Sequence, residues 1–324
     1  MNRSMVSIAA WSVGSHAVKN TLPAIHEAKN LFLKGIYTRN TDVLQQQAEK
    51  YNVKAYYSFH EMLDDPDLDA VYIASPVGIH YEQAKAVLQA NKHVIVEKSS
   101  FERLEQAQEL IELASGKNLV LMEAFMYRFH KQFVKLIDLI KSKKFGKVRG
   151  VIATFGFPHL QAEDIRYQSE LGGGSLLDAG AYTVSAINQL FFHTSTVRFS
   201  NLLSDCGFKV DTNGTAVLQG KDDIIGIASW CFGADYKNEI EVWCERATLV
   251  AKRAFSKPAT YAASIEVYQN SGLYLEIQCE PMNHFAAMFE HFVGCINDQA
   301  LKYYEHSILI EQMKLIASIQ GALK

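Results

Sequence analysis

The chain has 324 residues, 48% hydrophobic and 21% charged, with a formal net charge of -3 at pH 7. That is a globular composition, long enough for two domains, because single cores stop growing at about 250–300 residues. It has no long run of Lys or Arg, which argues against nucleic acid or a membrane surface as the main partner. Cys206, Cys231, Cys244, Cys279 and Cys295 are spread out without a CxxC pair, so neither a metal site nor a redox pair is expected. An odd number of cysteines in a chain this long reads as buried thiols in a reducing compartment. The opening apolar run, in "MNRSMVSIAAW", is too short for a signal peptide or a membrane span, and the expected location is the cytoplasm.

In chain order, apolar β-rich runs predict strands at 6–11, 32–37, 70–74, 93–97 and 120–123, with helices at 17–28, 43–51, 81–90 and 102–114 between them. The last is the best patterned, with Leu104, Ala107, Leu110, Ile111 and Ala114 on one face. Strand–helix alternation of this kind predicts a parallel sheet covered on both sides. A helix at 132–142 follows, and then strands predominate: 148–157, 215–219, 224–232, 239–244, 263–268 and 274–278. Strands in succession predict a largely antiparallel sheet. One helix, 175–190, interrupts them, and two more, 285–296 and 307–323, follow. The expected organisation is a first domain over 1–125 and a second, α+β domain over 126–324.

Four stretches can carry chemistry. In "VSIAAWSVGSHAVKNTLPAI" a strand, a Gly-containing turn and a helix follow in order, the context in which backbone N–H groups at a helix start face a pyrophosphate. Gly14 stands where the backbone must approach that phosphate, Ser12 where the tight turn normally wants glycine, and Ala17 where only small size is needed. An ordinary βα turn reads the same way. After the second strand the chain runs Tyr37-Thr38-Arg39-Asn40 with no acid before Asp42. A hydroxyl and a guanidinium there suit a 2′-phosphate, and so NADP above NAD, although an exposed Arg at a strand end is common. Glu97 and Lys98 end a buried strand at the rim where such sheets bind ligands. Lys98 reads equally as a proton donor or as half of a structural ion pair with Glu97. In "ELGGGSLLDAGAYTVSAI" three glycines lead into a helix with Asp178 and Tyr182 four apart on one face. They suit a polar active-site wall; alternatively, Ser175 with Asp178 resembles a capping box.

Together these stretches resemble the Gfo/Idh/MocA oxidoreductases, named after glucose–fructose oxidoreductase and inositol dehydrogenase. "VIVEKSS" resembles the family's E-K-P strand end, "SPVGIH" its T-P-N-x-x-H stretch, and "GGGSLLDAGAY" its G-G-G-x-L-x-D-x-G-x-H/Y segment. "LMEAFMYRFHKQF" and "FGFPHLQAEDIRYQSELGGGSLLD" resemble the dihydrodiol and xylose dehydrogenase branch, which shares Tyr at the last motif position with glucose–fructose oxidoreductase. The resemblance implies an N-terminal Rossmann domain and a C-terminal domain on an open, mostly antiparallel sheet. It implies hydride transfer between NADP (or NAD) and a sugar or diol/ketone substrate.

By the resemblance, the cofactor is held by Ser12, Gly14, Ser15, His16, Thr38, Arg39, Ser75, Pro76, His80, Glu97 and Lys98. The same resemblance makes Lys98, Asp178 and Tyr182 the catalytic residues, with Tyr182 as acid/base, Lys98 near the reacting oxygen and Asp178 orienting the substrate. Tyr127 and Arg166 are further candidates for the pocket wall. The chain departs from the pattern at Ser12, at Ser99 in place of the Pro often cis there, at Val77 in place of Asn, and at Asn91 in place of Gly. Two alternatives stay open: a nucleotide-linked ketosugar reductase, and a non-catalytic binding relative with a degraded cofactor loop. Apolar residues on both alternating sets of the later strands, such as Ile225, Ile227, Trp230 and Phe232, predict a sheet face covered by a second copy, in a homodimer or homotetramer.

Overall fold

The computed structural model describes residues 5–321. They form two compact units, one of 5–125 with Phe285–Ile310, the other of Met126–His284 with 311–321. The first unit is built on β1 (Val6–Trp11), β2 (Leu31–Tyr37), β3 (Lys54–Ala55), β4 (Ala70–Ile73), β5 (His93–Val96) and β6 (Leu121–Glu123). All pairings are parallel, in the order β3-β2-β1-β4-β5-β6. That is the doubly wound dinucleotide-binding order, which reverses direction at β1/β4. β1 and β4 are buried at every residue, as expected of a sheet covered on both faces.

The helices between these strands are α1 (Leu22–Glu27), α2 (Thr41–Tyr51), α3 (Phe59–Leu63), α4 (His80–Gln89) and α5 (Leu104–Gly116). The single helix expected at 17–28 is instead a π turn at Ala17–Thr21 running into α1. Pro23 explains the break: it has no N–H to give Lys19, so the backbone widens by one residue. The short β3 and α3 carry too few residues for a periodic signal.

The second unit contains α6 (Lys131–Lys141), β7 (Val148–Phe157), α7 (Ala181–Leu190), β8 (Thr196–Leu203), β9 (Asn213–Gln219), β10 (Ile225–Phe232), β11 (Lys237–Cys244), β12 (Thr248–Lys252), β13 (Ala263–Gln269) and β14 (Gly272–Cys279). Its eight strands run β14-β13-β12-β11-β7-β10-β9-β8, antiparallel except for the parallel pair β7/β10. α6 and α7 cover one face. On β10 the alternation sends Trp230 and Phe232 into the core and leaves Ile225 and Ile227 exposed. Trp230 packs where a Cβ on Gly180 or Gly214 would come within 2.8 or 2.6 Å of its indole, so both glycines make room for the ring. β8 and β12 were not expected; β8 is an edge strand with no buried residue, and β12 has five residues.

α8 (His284–Asn297) and α9 (Gln299–Gly321) follow. The sequence places 285–310 in the second domain, whereas that segment packs in the first unit. Phe289 meets the Tyr72 ring at 5.5 Å, and His306 Nε2 takes the Leu121 N–H at 3.2 Å. α9 also starts eight residues earlier than expected, capped by Asp298, whose carboxylate accepts from Ala300 N (2.8 Å) and Leu301 N (3.1 Å). Its expected end at Leu323 lies outside the described residues. Among the described residues no helix is long and apolar enough to cross a membrane.

Candidate active site

In the first unit the candidate residues fall at the C-terminal ends of parallel strands, where such sheets bind ligands. Directly after β1, Ser12 adopts φ 69° and donates its N–H to Tyr37 O at 2.8 Å. The turn therefore keeps the left-handed geometry of the missing glycine, and the Ser side chain costs about 1–2 kcal/mol there. Gly14 is exposed, and a Cβ built on it meets no atom within 4 Å. The open space beside its backbone fits a ligand phosphate. Ser15 and His16 are exposed beside it. The His16 ring meets the Phe285 edge at 5.7 Å and lies 3.9 Å from Glu97 Oε1. After β2, Asn40 caps α2 by accepting from Asp42 N and Val43 N, both at 3.1 Å. Thr38 and Arg39 precede that cap, and Arg39 is exposed with no ion pair among the described residues.

After β4, Ser75 gives its hydroxyl to Gln83 at 2.5 Å, and Pro76 leads into a short 3₁₀ turn that contains Val77. His80 departs from the expectation of a direct cofactor contact. It is fully buried, with Nε2 2.7 Å from Ser75 O and Nδ1 3.0 and 3.1 Å from Ser99 O and Ser100 O. Burial holds its pKa below the ordinary histidine value, partly opposed by those carbonyls. Its ring ties the loop after β4 to the loop after β5. At the end of β5, Glu97 accepts the Tyr72 hydroxyl at 2.5 Å and the Lys98 N–H at 3.3 Å, and Lys98 is half-buried. The Lys98–Ser99 peptide is cis, the geometry the family's proline often takes. The buried Glu123, which sequence reasoning missed, takes the Ser100 N–H at 2.8 Å and pins the same loop.

In the second unit the glycine run approaches backbone and carboxylate closely. A Cβ on Gly173 would lie 2.7 Å from Arg166 O, and Gly174, at φ +123°, lies against Asp211. Asp211, not a Ser175–Asp178 capping box, anchors the helix start: it accepts the Ser175 hydroxyl at 2.5 Å and the Leu176 N–H at 2.7 Å. Burial pushes its carboxyl pKa up. No local motif could have found it, since it is 36 residues from Ser175. Asp178 lies on a π turn, Leu176–Gly180, that runs into α7. Such turns recur at functional sites, and this chain has one here and one after the Gly14 loop.

Asp178 is paired with Arg166, whose Nε donates to Oδ2 at 2.8 Å while its Nη1 reaches Asp164 at 3.1 Å. Asp178 pushes the guanidinium pKa up further, so Arg166 stays charged across ordinary pH. Tyr182, 6% exposed, donates to Met126 Sδ at 3.5 Å and packs among Tyr127, Phe155 and Phe255. Tyr127 is not a wall residue: it is fully buried behind Tyr182, its hydroxyl bonded to Ser185 at 2.8 Å. Beside Arg166, Tyr167 packs with Phe208 (4.5 Å), which stacks on His159 at 5.4 Å. Among the described residues no group of His, Cys, Asp or Glu could hold a metal ion.

Residues 12–125 match the Gfo/Idh/MocA oxidoreductase family with its NAD-binding Rossmann fold, and residues 133–250 match the C-terminal domain of the same family. The chain is 31% identical to a dTDP-3,4-didehydro-2,6-dideoxy-alpha-D-glucose 3-reductase from Saccharopolyspora spinosa, over 99% of its own length and 98% of the relative's. The chain belongs to this oxidoreductase family. Another relative, D-xylose 1-dehydrogenase (NADP(+)) 2 from Haloferax volcanii, is 28% identical over 93% of the chain and 92% of the relative. Among solved structures, a 3-ketoreductase from Actinomadura kijaniata in complex with NADP and TDP-benzene superposes with a TM-score of 0.92. It covers 98% of both chains at 24% identity, a likeness of fold. As a member of the family, the chain is an NAD(P)-binding oxidoreductase.

Proposed function

We propose that this oxidoreductase uses NADPH to reduce the keto group of a nucleotide-linked sugar. The observation that carries the reading is the similarity to a dTDP-ketosugar 3-reductase, which runs through both units over 99% of the chain. Exposed, unpaired Arg39 beside Thr38 supports NADPH over NADH. The aromatic group of His159, Tyr167 and Phe208 beside the Arg166–Asp178 pair supports a substrate that carries a base. The alternative of a binding protein with a degraded loop loses its main support, because Ser12 keeps the turn and the space beside Gly14 is open.

Bound NADPH supplies the hydride. Ser12, Gly14, Ser15 and His16 hold its pyrophosphate, Thr38 and Arg39 its 2′-phosphate, and Ser75, Pro76 and Glu97 form the rim beside it. His80 and Glu123 position that rim from below. Lys98 polarises the reacting oxygen, Tyr182 gives it a proton, and Asp178, held by Arg166, orients the substrate. Lys98→Met and Tyr182→Phe should each cut turnover by orders of magnitude while NADPH binding, read by fluorescence, stays within about threefold. Near-wild-type turnover in both variants would reject these roles.

The outward face of the eight-stranded sheet exposes Ile152 and Ile227, paired across β7/β10, with Ile225 and Trp243 flanking Gly150. This face supports a homodimer, or a homotetramer built on it. Ile227→Glu with Trp243→Glu should lower the mass seen by light scattering, and an unchanged mass would move the interface elsewhere. The five free cysteines support a cytoplasmic location.

A further inference from the structure

A second concave site lies at the opposite end of α7 from Asp178 and Tyr182. The loops 142–147, 191–195 and 220–224 surround a cavity of about 630 Å³. Leu190, on its wall, is 12 residues beyond Asp178, about 18 Å along a helix, so the cavity is separate from the candidate catalytic groups. Its size is that of a small-molecule site.

The lining is cationic: Lys141, Lys143, Lys147, Arg149 and Lys221, against the single acid Asp222. Arg149 is paired with Glu245, 2.5 Å away, and that carboxylate also takes the Lys147 backbone N–H at 3.0 Å. The four lysines make no ion pair among the described residues. In a chain of net charge -3 there are acids enough to pair them, and the fold leaves them facing one another around a concavity. Like charges so placed repel, and a concave wall strengthens the field they share.

The rim is also held in costly backbone. Lys143 and Phe192 both have φ 52°, and Asp222 has φ 61°. A side chain is strained in that region, and such conformations gather at ligand sites. Phe192, 47% exposed, is fixed there with the Lys141 ammonium 5.7 Å from its ring centre. The end of α6 and two separate loops thus bring ammonium groups to one cavity, and the loop 191–195 closes it with Phe192.

We propose that this cavity binds a small polyphosphate anion, free or carried by a nucleotide, independently of the cofactor loop. The lysines neutralise the phosphates and Arg149, released from Glu245, adds a forked donor pair.

Two variants separate this site from the cofactor loop. Sodium tripolyphosphate and ATP are each titrated calorimetrically into the full-length protein at low salt. Lys147→Glu with Lys221→Glu should weaken both at least tenfold and leave NADPH affinity unchanged, since both side chains are exposed. Gly14→Val should do the reverse. Equal affinities for the two probes would assign the site to phosphate alone, and tighter ATP binding to a nucleotide stacked on Phe192. No saturable binding by the wild type, or binding unmoved by the double charge reversal, would overturn the proposal.

Discussion

Lys257 permits a quantitative test of how the second unit is packed. The side chain is 6% exposed in the loop between β12 and β13, with Nζ donating to Ala254 O at 2.9 Å. Burial lowers its pKa from 10.5 to about 7. His130 and His284 lie near it with rings 5.6 Å apart, lowered to about 3 and about 2 by burial and by the lysine, while burial raises the Cys279 thiol. Between pH 7 and 10.5 the unfolded chain therefore binds the lysine proton and the folded chain does not. Stability rises with pH across that window and reaches its low plateau below pH 7.

The shift from 10.5 to about 7 corresponds to about 4 kcal/mol of destabilisation at pH 7 and about 1.4 kcal/mol at pH 9.5. Lys257→Met keeps the chain length, removes the ionisable group and loses one hydrogen bond of about 1 kcal/mol. Urea unfolding should find the variant about 3 kcal/mol more stable than wild type at pH 7 and about equal at pH 9.5. A stability difference that does not change between these pH values would refute the reasoning, because Lys257 would then keep its proton in the folded protein.

Ser12→Gly removes the left-handed strain but adds unfolded-state entropy, so it should stabilise by up to about 1 kcal/mol in urea unfolding and leave NADPH affinity unchanged or tighter. Gly14→Val should melt within about 2 °C of wild type, because a Cβ there meets no protein atom within 4 Å, yet lose at least tenfold in NADPH affinity by titration. Asp211→Ala should cost about 2 kcal/mol by thermal unfolding, from the lost helix anchor and the Ser175 hydroxyl left without it. Asp178→Asn should lower kcat/KM at least tenfold in NADPH-consumption assays with Tm falling by only a few degrees, since Arg166 keeps Asp164.

The first sheet was legible because fully buried parallel strands leave unbroken apolar runs, and every such run expected before residue 125 is a strand. β3 and α3 escaped because two and five residues set no period. The break at Pro23 was written in the sequence as a proline inside a helical pattern, and Asp298 followed by Ala300 and Leu301 marked the true start of α9. Ser12 posed its question correctly, but only the backbone shows that the serine takes the glycine geometry.

Within the site, the roles of Asp211, Glu123 and His80 depend on contacts between residues 19 to 36 positions apart, which no local spacing encodes. Arg166 and Asp178, 12 apart across the glycine run, were both singled out as candidates, and the loop brings them into one ion pair. Tyr127 was misread as a wall residue because an aromatic near a motif looks the same whether it faces a ligand or supports the residue that does.

The most direct test of the central claim follows a label. NADPH carrying deuterium at both C4 positions of the nicotinamide is incubated with the protein and a dTDP-linked 3-ketosugar, and the sugar product is read by NMR. The account predicts one deuterium on the former carbonyl carbon, delivered to a single face, with no transfer in Tyr182→Phe above a few per cent of wild type. Product without deuterium on that carbon, or no NADPH consumption with any ketosugar of this class, would contradict it.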